Sequence, residues 1–267
     1  MPKTAVNDIN IYYEIQGNGS QLLFIGGIGS DLRNRPNIFD SPLTENFTVL
    51  AYDQRGFGQT SKPDKPYSMK DYAGDAVGLL DARGWGQCLV MGASFGGMVA
   101  QEVAIRFPRK IKRLALLCTS SGGEGGASYP LHELSDLPIE ERARKELEMA
   151  NLNWDEEWRE KNQDLYNSIL EKRISQMQFV ENNPDLAISF RRQLEARKHH
   201  DTYDRLPKIN VPTGIFGGKY DGIALPENLQ NLQKQIPNSI LEMFEGGHMF
   251  RIQDPRAFPR IIAFLKE

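Results

Sequence analysis

Seven short runs of apolar and β-branched residues punctuate the chain: Ile9–Ile15, Leu22–Ile25, Phe47–Tyr52, Cys88–Met91, Leu114–Cys118, Thr213–Phe216 and Ser239–Phe244. Their lengths suit strands rather than helices. Helical patterns fall between several of them, notably Lys70–Arg83, Gly97–Arg106 and Arg256–Lys266. In the last, Phe258, Ile261, Ile262 and Leu265 recur at helical spacing, which predicts a face packed on a sheet. Strands alternating with helices predict an α/β fold, with a mostly parallel sheet covered on both faces. The first two runs lie close together along the chain, which predicts an antiparallel start.

Residues 122–206 break the alternation. Gly122-Gly-Glu-Gly-Gly126 is a flexible entry, and charged helical stretches follow at Ile139–Leu152, Asp155–Val180 and Pro184–His200. The chain returns through Leu206-Pro-Lys-Ile-Asn-Val-Pro212. Charges such as those of Glu140–Glu146 read as a solvated helix face.

Candidate chemistry begins at Gly92-Ala-Ser-Phe-Gly96, which follows the Cys88–Met91 strand and opens the helix after it. A serine hydroxyl becomes a useful nucleophile when a sharp strand-to-helix turn holds it exposed beside a base, and glycines let the chain turn there. Ser94 is the candidate. Of the four histidines, His132, His199 and His200 lie in the charged middle section, whereas His248 follows the Ser239–Phe244 strand in Glu-Gly-Gly-His. A loop at a strand's C-terminal end is where α/β sheets place chemistry, so His248 is the candidate base. Two acids could orient it: Asp221, after the Thr213–Phe216 strand, and Glu124, after the preceding one. An oxyanion needs two N–H donors. The backbone of Phe95, beside the nucleophile, is one. Gly26-Gly-Ile-Gly29, after the Leu22–Ile25 strand, offers Ile28 as the second. That glycine-rich loop lacks the G-x-x-x-x-G-K-[ST] and G-x-G-x-x-G spacings of phosphate-binding loops.

These motifs resemble the α/β-hydrolase fold serine hydrolases, in the branch of small esterases, enol-lactonases, cofactor-free perhydrolases and C–C bond hydrolases. Asp53-Gln-Arg-Gly-Phe-Gly-Gln-Thr60 is similar to the family's D-x-R-G-x-G-x-S stretch, and Gly84-Trp85 and Phe107-Pro108 also recur in it. The resemblance covers residues 1–121 and 207–267, implying an eight-stranded-type core there. It favours the order Ser94, Asp221, His248, with the acid after Phe216. It also implies that residues 122–206 are a helical cap over the site. Trp154, Trp158, Met177, Phe179 and Phe190 are the cap's candidate pocket residues. One departure stands out: the family usually carries His-Gly at the oxyanion loop, where this chain has Gly26-Gly27. Aspartate at the nucleophile position would have pointed to a haloalkane dehalogenase, and Ser94 argues against that.

Composition adds exclusions. The chain has 267 residues and a net charge of −3 from 32 basic and 35 acidic side chains, with a pI of about 5.9. Nothing there suggests nucleic acid or an anionic membrane as partner. Mean hydropathy is −0.49, and no apolar stretch approaches the ~20 residues of a membrane span. The start, Met-Pro-Lys-Thr-Ala-Val-Asn-Asp, has no apolar core of the secretory kind. Cys88 and Cys118 fall in predicted core strands as free thiols, which fits a reducing cytoplasm. His199-His200-Asp201 lacks a metal-ligand spacing, so neither metal nor cofactor is expected. The sequence does not separate a monomer from a homodimer. The expected activity is hydrolysis of a small carboxylic ester or lactone. The alternatives are C–C bond hydrolysis of a diketone-type substrate on the same triad, or a hydrolase-fold ligand receptor with slow turnover.

Overall fold

The alternation within each strand decides which side chains meet which layer. In the computed structural model, which describes residues 2–267, the strands are β1 (Lys3–Val6), β2 (Ile9–Gln16), β3 (Ser20–Ile25), β4 (Phe47–Tyr52), β5 (Cys88–Ala93), β6 (Ile111–Leu117), β7 (Thr213–Gly218) and β8 (Ser239–Phe244). They form one sheet in the order β1-β2-β4-β3-β5-β6-β7-β8. From β4 to β8 the neighbours are parallel; β1–β2 and β2–β4 are antiparallel. The antiparallel start is therefore present, but its partners differ from the expectation. β4 lies between β2 and β3, and β2 pairs with the short β1, whose Lys-Thr-Ala-Val buries only Val6 and so carries no apolar signal.

The helices are α1 (Met69–Ala82), α2 (Phe95–Arg106), α3 (Ile139–Ala150), α4 (Glu156–Lys161), α5 (Gln163–Glu181), α6 (Pro184–Lys198), α7 (Pro226–Gln235), α8 (Phe250–Gln253) and α9 (Ala257–Lys266). One sheet face presents Leu23, Ile25, Val90, Leu114, Leu116 and Ile215 to α1, α2 and α7. The alternate residues Leu22, Met91, Ala115, Leu117 and Phe216 face Ile261, Phe264 and Leu265 of α9. Both faces are thus sealed, and the C-terminal strand ends are left for chemistry. Ser68 opens α1 with a capping box, its hydroxyl accepting from Asp71 N–H.

Between β6 and β7 stand α3 to α6, which gather a small core of their own from Ala143, Leu147, Tyr166, Leu170 and Met177. The stretch read as one helix from Asp155 is broken at Asn162, whose side chain donates to the Trp158 carbonyl and stops α4 there. Asparagine competes with the helix backbone in this way. No helix among the described residues is long and apolar enough to cross a membrane.

Candidate active site

Steric exclusion makes the turn between β5 and α2. Ser94 has φ 56° and ψ −120°, a region that non-glycine residues rarely enter. A Cβ on Gly92 would lie 2.2 Å from the Gly96 carbonyl, and one on Gly96 would lie 2.1 Å from that of Ile25. Only glycine fits at either position, so the G-x-S-x-G spacing is a packing requirement of the turn. The Ser94 carbonyl accepts from Gly97 N–H at 2.9 Å and from the Thr119 hydroxyl at 2.9 Å, which holds the bend.

His248 reaches this turn from the loop after β8. Its Nε2 lies 2.9 Å from Ser94 Oγ and its Nδ1 lies 2.8 Å from Asp221 Oδ2. Asp221 is buried, and its Oδ1 accepts from Ile223 N–H at 2.8 Å and Ala224 N–H at 2.9 Å. A carboxylate so fixed accepts from Nδ1–H, leaving Nε2 as the acceptor for the serine proton. Glu124 is exposed on the turn Gly123–Gly125 and makes no bond to His248.

The 26–29 loop lies beside Ser94. The Gln54 side-chain amide donates to the Gly26 carbonyl at 2.9 Å, Ser30 N–H to that of Gly27 at 3.3 Å, and Gly29 N–H to Gln193 Oε1 at 2.8 Å. The N–H groups of Ile28 and Phe95 have no acceptor among the described residues. Phe95 is itself locked by its ring, which meets Tyr72 edge-on at 4.9 Å.

The Asp53–Thr60 stretch braces this loop. Asp53 accepts from Leu32 N–H at 2.7 Å and Gln59 N–H at 2.8 Å, and burial pushes its carboxyl up to about 6. Arg55 makes a two-pronged buried pair with Asp75 of α1, at 2.6 and 2.8 Å.

Of the five apolar pocket candidates, Trp154 and Trp158 stack on one another at 4.8 Å against the helical cluster, and Met177 is buried inside it. Phe179 is 55% exposed. Phe190 meets Phe57 edge-on at 6.3 Å and lies against Gly29, where a Cβ would come 3.5 Å from its ring. It is the one of the five placed at the 26–29 loop. His199 is exposed beside Glu195, while His200 is buried at the foot of α6. A groove of about 300 Å³ at the other sheet end, lined by Ser20, Gln21, Lys112 and Arg113, holds none of these groups.

The sequence did not single out Gln54 or Gln193. Gln54 stood inside a quoted motif but at a position the motif leaves free. Gln193 stands in a charged helical stretch where nothing local distinguishes it from its neighbours.

The insertion is tied to the site from behind. Leu152 N–H donates to the Tyr220 carbonyl at 2.8 Å, Gly222 N–H to that of Met149 at 2.8 Å and His248 N–H to that of Ala150 at 2.7 Å. The last carbonyls of a helix lack partners within it. Here the loops carrying Asp221 and His248 supply them to α3.

Comparison with known proteins agrees with this architecture. Residues 21–255 match the family model described as the alpha/beta hydrolase fold. The chain is 24% identical to 3-oxoadipate enol-lactonase 2 of Acinetobacter baylyi, over 95% of this chain and 92% of that one. It is 28% identical to 2-hydroxymuconate semialdehyde hydrolase of Pseudomonas putida, over 94% and 89%. The crystal structure of the enol-lactonase from Burkholderia xenovorans superposes with a TM-score of 0.80 at 23% identity, covering both chains fully, and so shares the fold. With the match running from β3 through the loop that carries His248, the chain belongs to the alpha/beta hydrolase fold family.

Proposed function

We propose that the protein is a serine hydrolase that cleaves a small carboxylic ester or lactone through an acyl-enzyme. The observation that carries this reading is the unbroken hydrogen-bonded chain from Ser94 through His248 to Asp221, beside two unpaired N–H groups. Ser94 Oγ attacks the carbonyl carbon as His248 Nε2 takes its proton. The carbonyl oxygen, now an anion, is held by Ile28 and Phe95 N–H. When the tetrahedral intermediate collapses, the bond to the leaving oxygen breaks and His248 returns the proton to it. Water then attacks the acyl-enzyme, giving its proton to His248, and Ser94 leaves with that proton. Asp221 keeps the imidazole in the required tautomer and stabilises its charged form. No step calls on a cofactor.

In this reading residues 1–121 and 207–267 are the catalytic core and 122–206 a cap that bounds the substrate site, with Phe190 against the oxyanion loop. A lactone or ester is favoured by the similarity to a lactonase along nearly the whole chain. The similar extent of likeness to the semialdehyde hydrolase makes C–C bond cleavage on the same triad the second reading. Two buried thiols, Cys118 pushed up to about 12 and Cys88 to about 11 by burial, fit a reducing cytoplasm.

The test is a panel of esters, lactones and vinylogous diketones on purified protein, with a fluorophosphonate probe alongside. Wild type should label and turn over at least one ester or lactone, and Ser94→Ala should do neither while remaining folded. Labelling of Ser94→Ala at the wild-type rate would remove Ser94 from the mechanism. Turnover confined to diketones would select the second reading.

A further inference from the structure

The loop that offers Ile28 N–H is fastened by three bonds, and one comes from the helical insertion. Gln193, on α6, is wholly buried, and its Oε1 accepts from Gly29 N–H at 2.8 Å. This bond fixes the orientation of the side-chain amide, because a flipped amide would set two donors face to face. Its Nε2 is then buried with no protein acceptor.

A leucine at 193 would fill similar space and have no unpaired Nε2, but it would take the acceptor away from Gly29 N–H, so apolar packing alone gives no reason for glutamine. The contact with Gly29 does. Gly29 has φ +68°, a conformation open to glycine and strained for most side chains, so the backbone there has no side chain of its own to pin it. The Ile28–Gly29 peptide plane is held from outside, and Ile28 N–H is one peptide away. The neighbours of Gln193 on the same helix reinforce the placement. Phe190 lies on Gly29, Ser189 lies within 3.5 Å of the Tyr67 hydroxyl, and Arg192 donates to the Pro63 carbonyl at 2.7 Å.

We propose that Gln193 is a positioning residue for the oxyanion site. Through Gly29 N–H it keeps the 26–29 loop set so that Ile28 N–H faces the developing oxyanion. The insertion then completes the catalytic apparatus as well as bounding the substrate site. This rests on the serine hydrolase reading above.

The experiment uses Gln193→Met, which keeps length and bulk but has no amide, and Gln193→Asn, which keeps an amide too short to reach Gly29. Three quantities are measured: melting temperature, kcat and KM on the best ester of the panel, and hydrogen–deuterium exchange of the 26–31 backbone. Both variants should stay folded, lose about 10- to 100-fold in kcat with KM within about threefold, and exchange the Gly29 amide faster. A donor merely misaimed should cost less than the ~10²–10³ of a donor removed. A Phe179→Ala control, whose ring is mostly in solvent, should leave Gly29 exchange as in wild type. Unchanged kcat in both variants, or a rise in KM alone, would overturn the proposal. So would wild-type exchange at Gly29 as fast as in the variants, and this readout needs no activity. If wild type neither labels nor turns over any ester, the hydrolase reading fails. If wild type is active, Ser94→Ala is dead and both Gln193 variants are fully active, the positioning role alone fails.

Discussion

Asp221 has one oxygen committed to the backbone and one to His248, and that division decides what an amide would do in its place. In Asp221→Asn the carbonyl oxygen would stay with Ile223 and Ala224 N–H, because both are donors. The NH2 would then face His248 Nδ1 and force the proton to Nε2, which could no longer accept from Ser94. Ester kcat is expected to fall by about 10⁴, with His248→Ala losing at least as much, because the three groups act as a unit. Exposed Glu124, changed to Gln, should stay within about twofold of wild type. A steep loss at Glu124 with a mild one at Asp221 would reverse the assignment. Asp53 makes a separate residue-scale prediction. Its folded pKa, about 6, lies above its unfolded value, so its protonated form is the one the fold favours. That contribution is full below about pH 4 and is lost as pH rises through 6, at most about 3 kcal/mol. Urea melts of wild type and Asp53→Asn between pH 4.5 and 7.5 should show wild type losing stability relative to the variant as pH rises. Parallel curves would mean that Asp53 titrates normally.

At the scale of elements, the notable joint is between α3 and the two loops that carry Asp221 and His248. Gly247 lets them meet, since a Cβ there would stand 2.0 Å from the Ala150 carbonyl. Gly247→Ala must push α3 away from the loop and weaken the bond from His248 N–H to that carbonyl. It is expected to lower kcat/KM by about tenfold or more and the melting temperature by several degrees. Gly86→Ala is the control, because nothing lies within 4 Å of a Cβ there. Equal activity in the two variants would show the joint to be slack. The core elements were legible because each strand of the β4–β8 region alternates between two buried faces and keeps an apolar signal. Three elements escaped. β1 is short and polar. α7 has only two leucines, Leu229 and Leu232, both buried, among otherwise polar residues after its opening proline. α8 is a single turn.

For the molecule as a whole, the insertion divides into a self-packed cluster and a face on the 26–29 loop. Substrate preference should follow that division. Phe190→Ala is expected to shift relative kcat/KM along an ester chain-length series by about tenfold, the worth of roughly 1–3 kcal/mol per methylene in an apolar pocket. Phe179→Ala should give a profile parallel to wild type, because its ring is mostly in solvent. Parallel profiles in both variants would deny the insertion a part in selecting the acyl chain.

The amino-acid pattern carried the α/β class, the turn at Ser94 and the choice of His248, while Asp221 was preferred to Glu124 only through the family resemblance. The first three rest on local rules: two-residue alternation in strands, glycines where a Cβ cannot fit, and loops placed at strand ends. The packing of the folded chain set what depends on contacts between distant segments. It brought Gln193 to Gly29 across 164 residues, set the α3 carbonyls against the loops of Asp221 and His248, inserted β4 between β2 and β3, and sorted Phe190 from Trp154, Trp158, Met177 and Phe179. A charged helix turns one narrow face inward, and its amino-acid pattern records that some face is buried without recording which neighbour buries it.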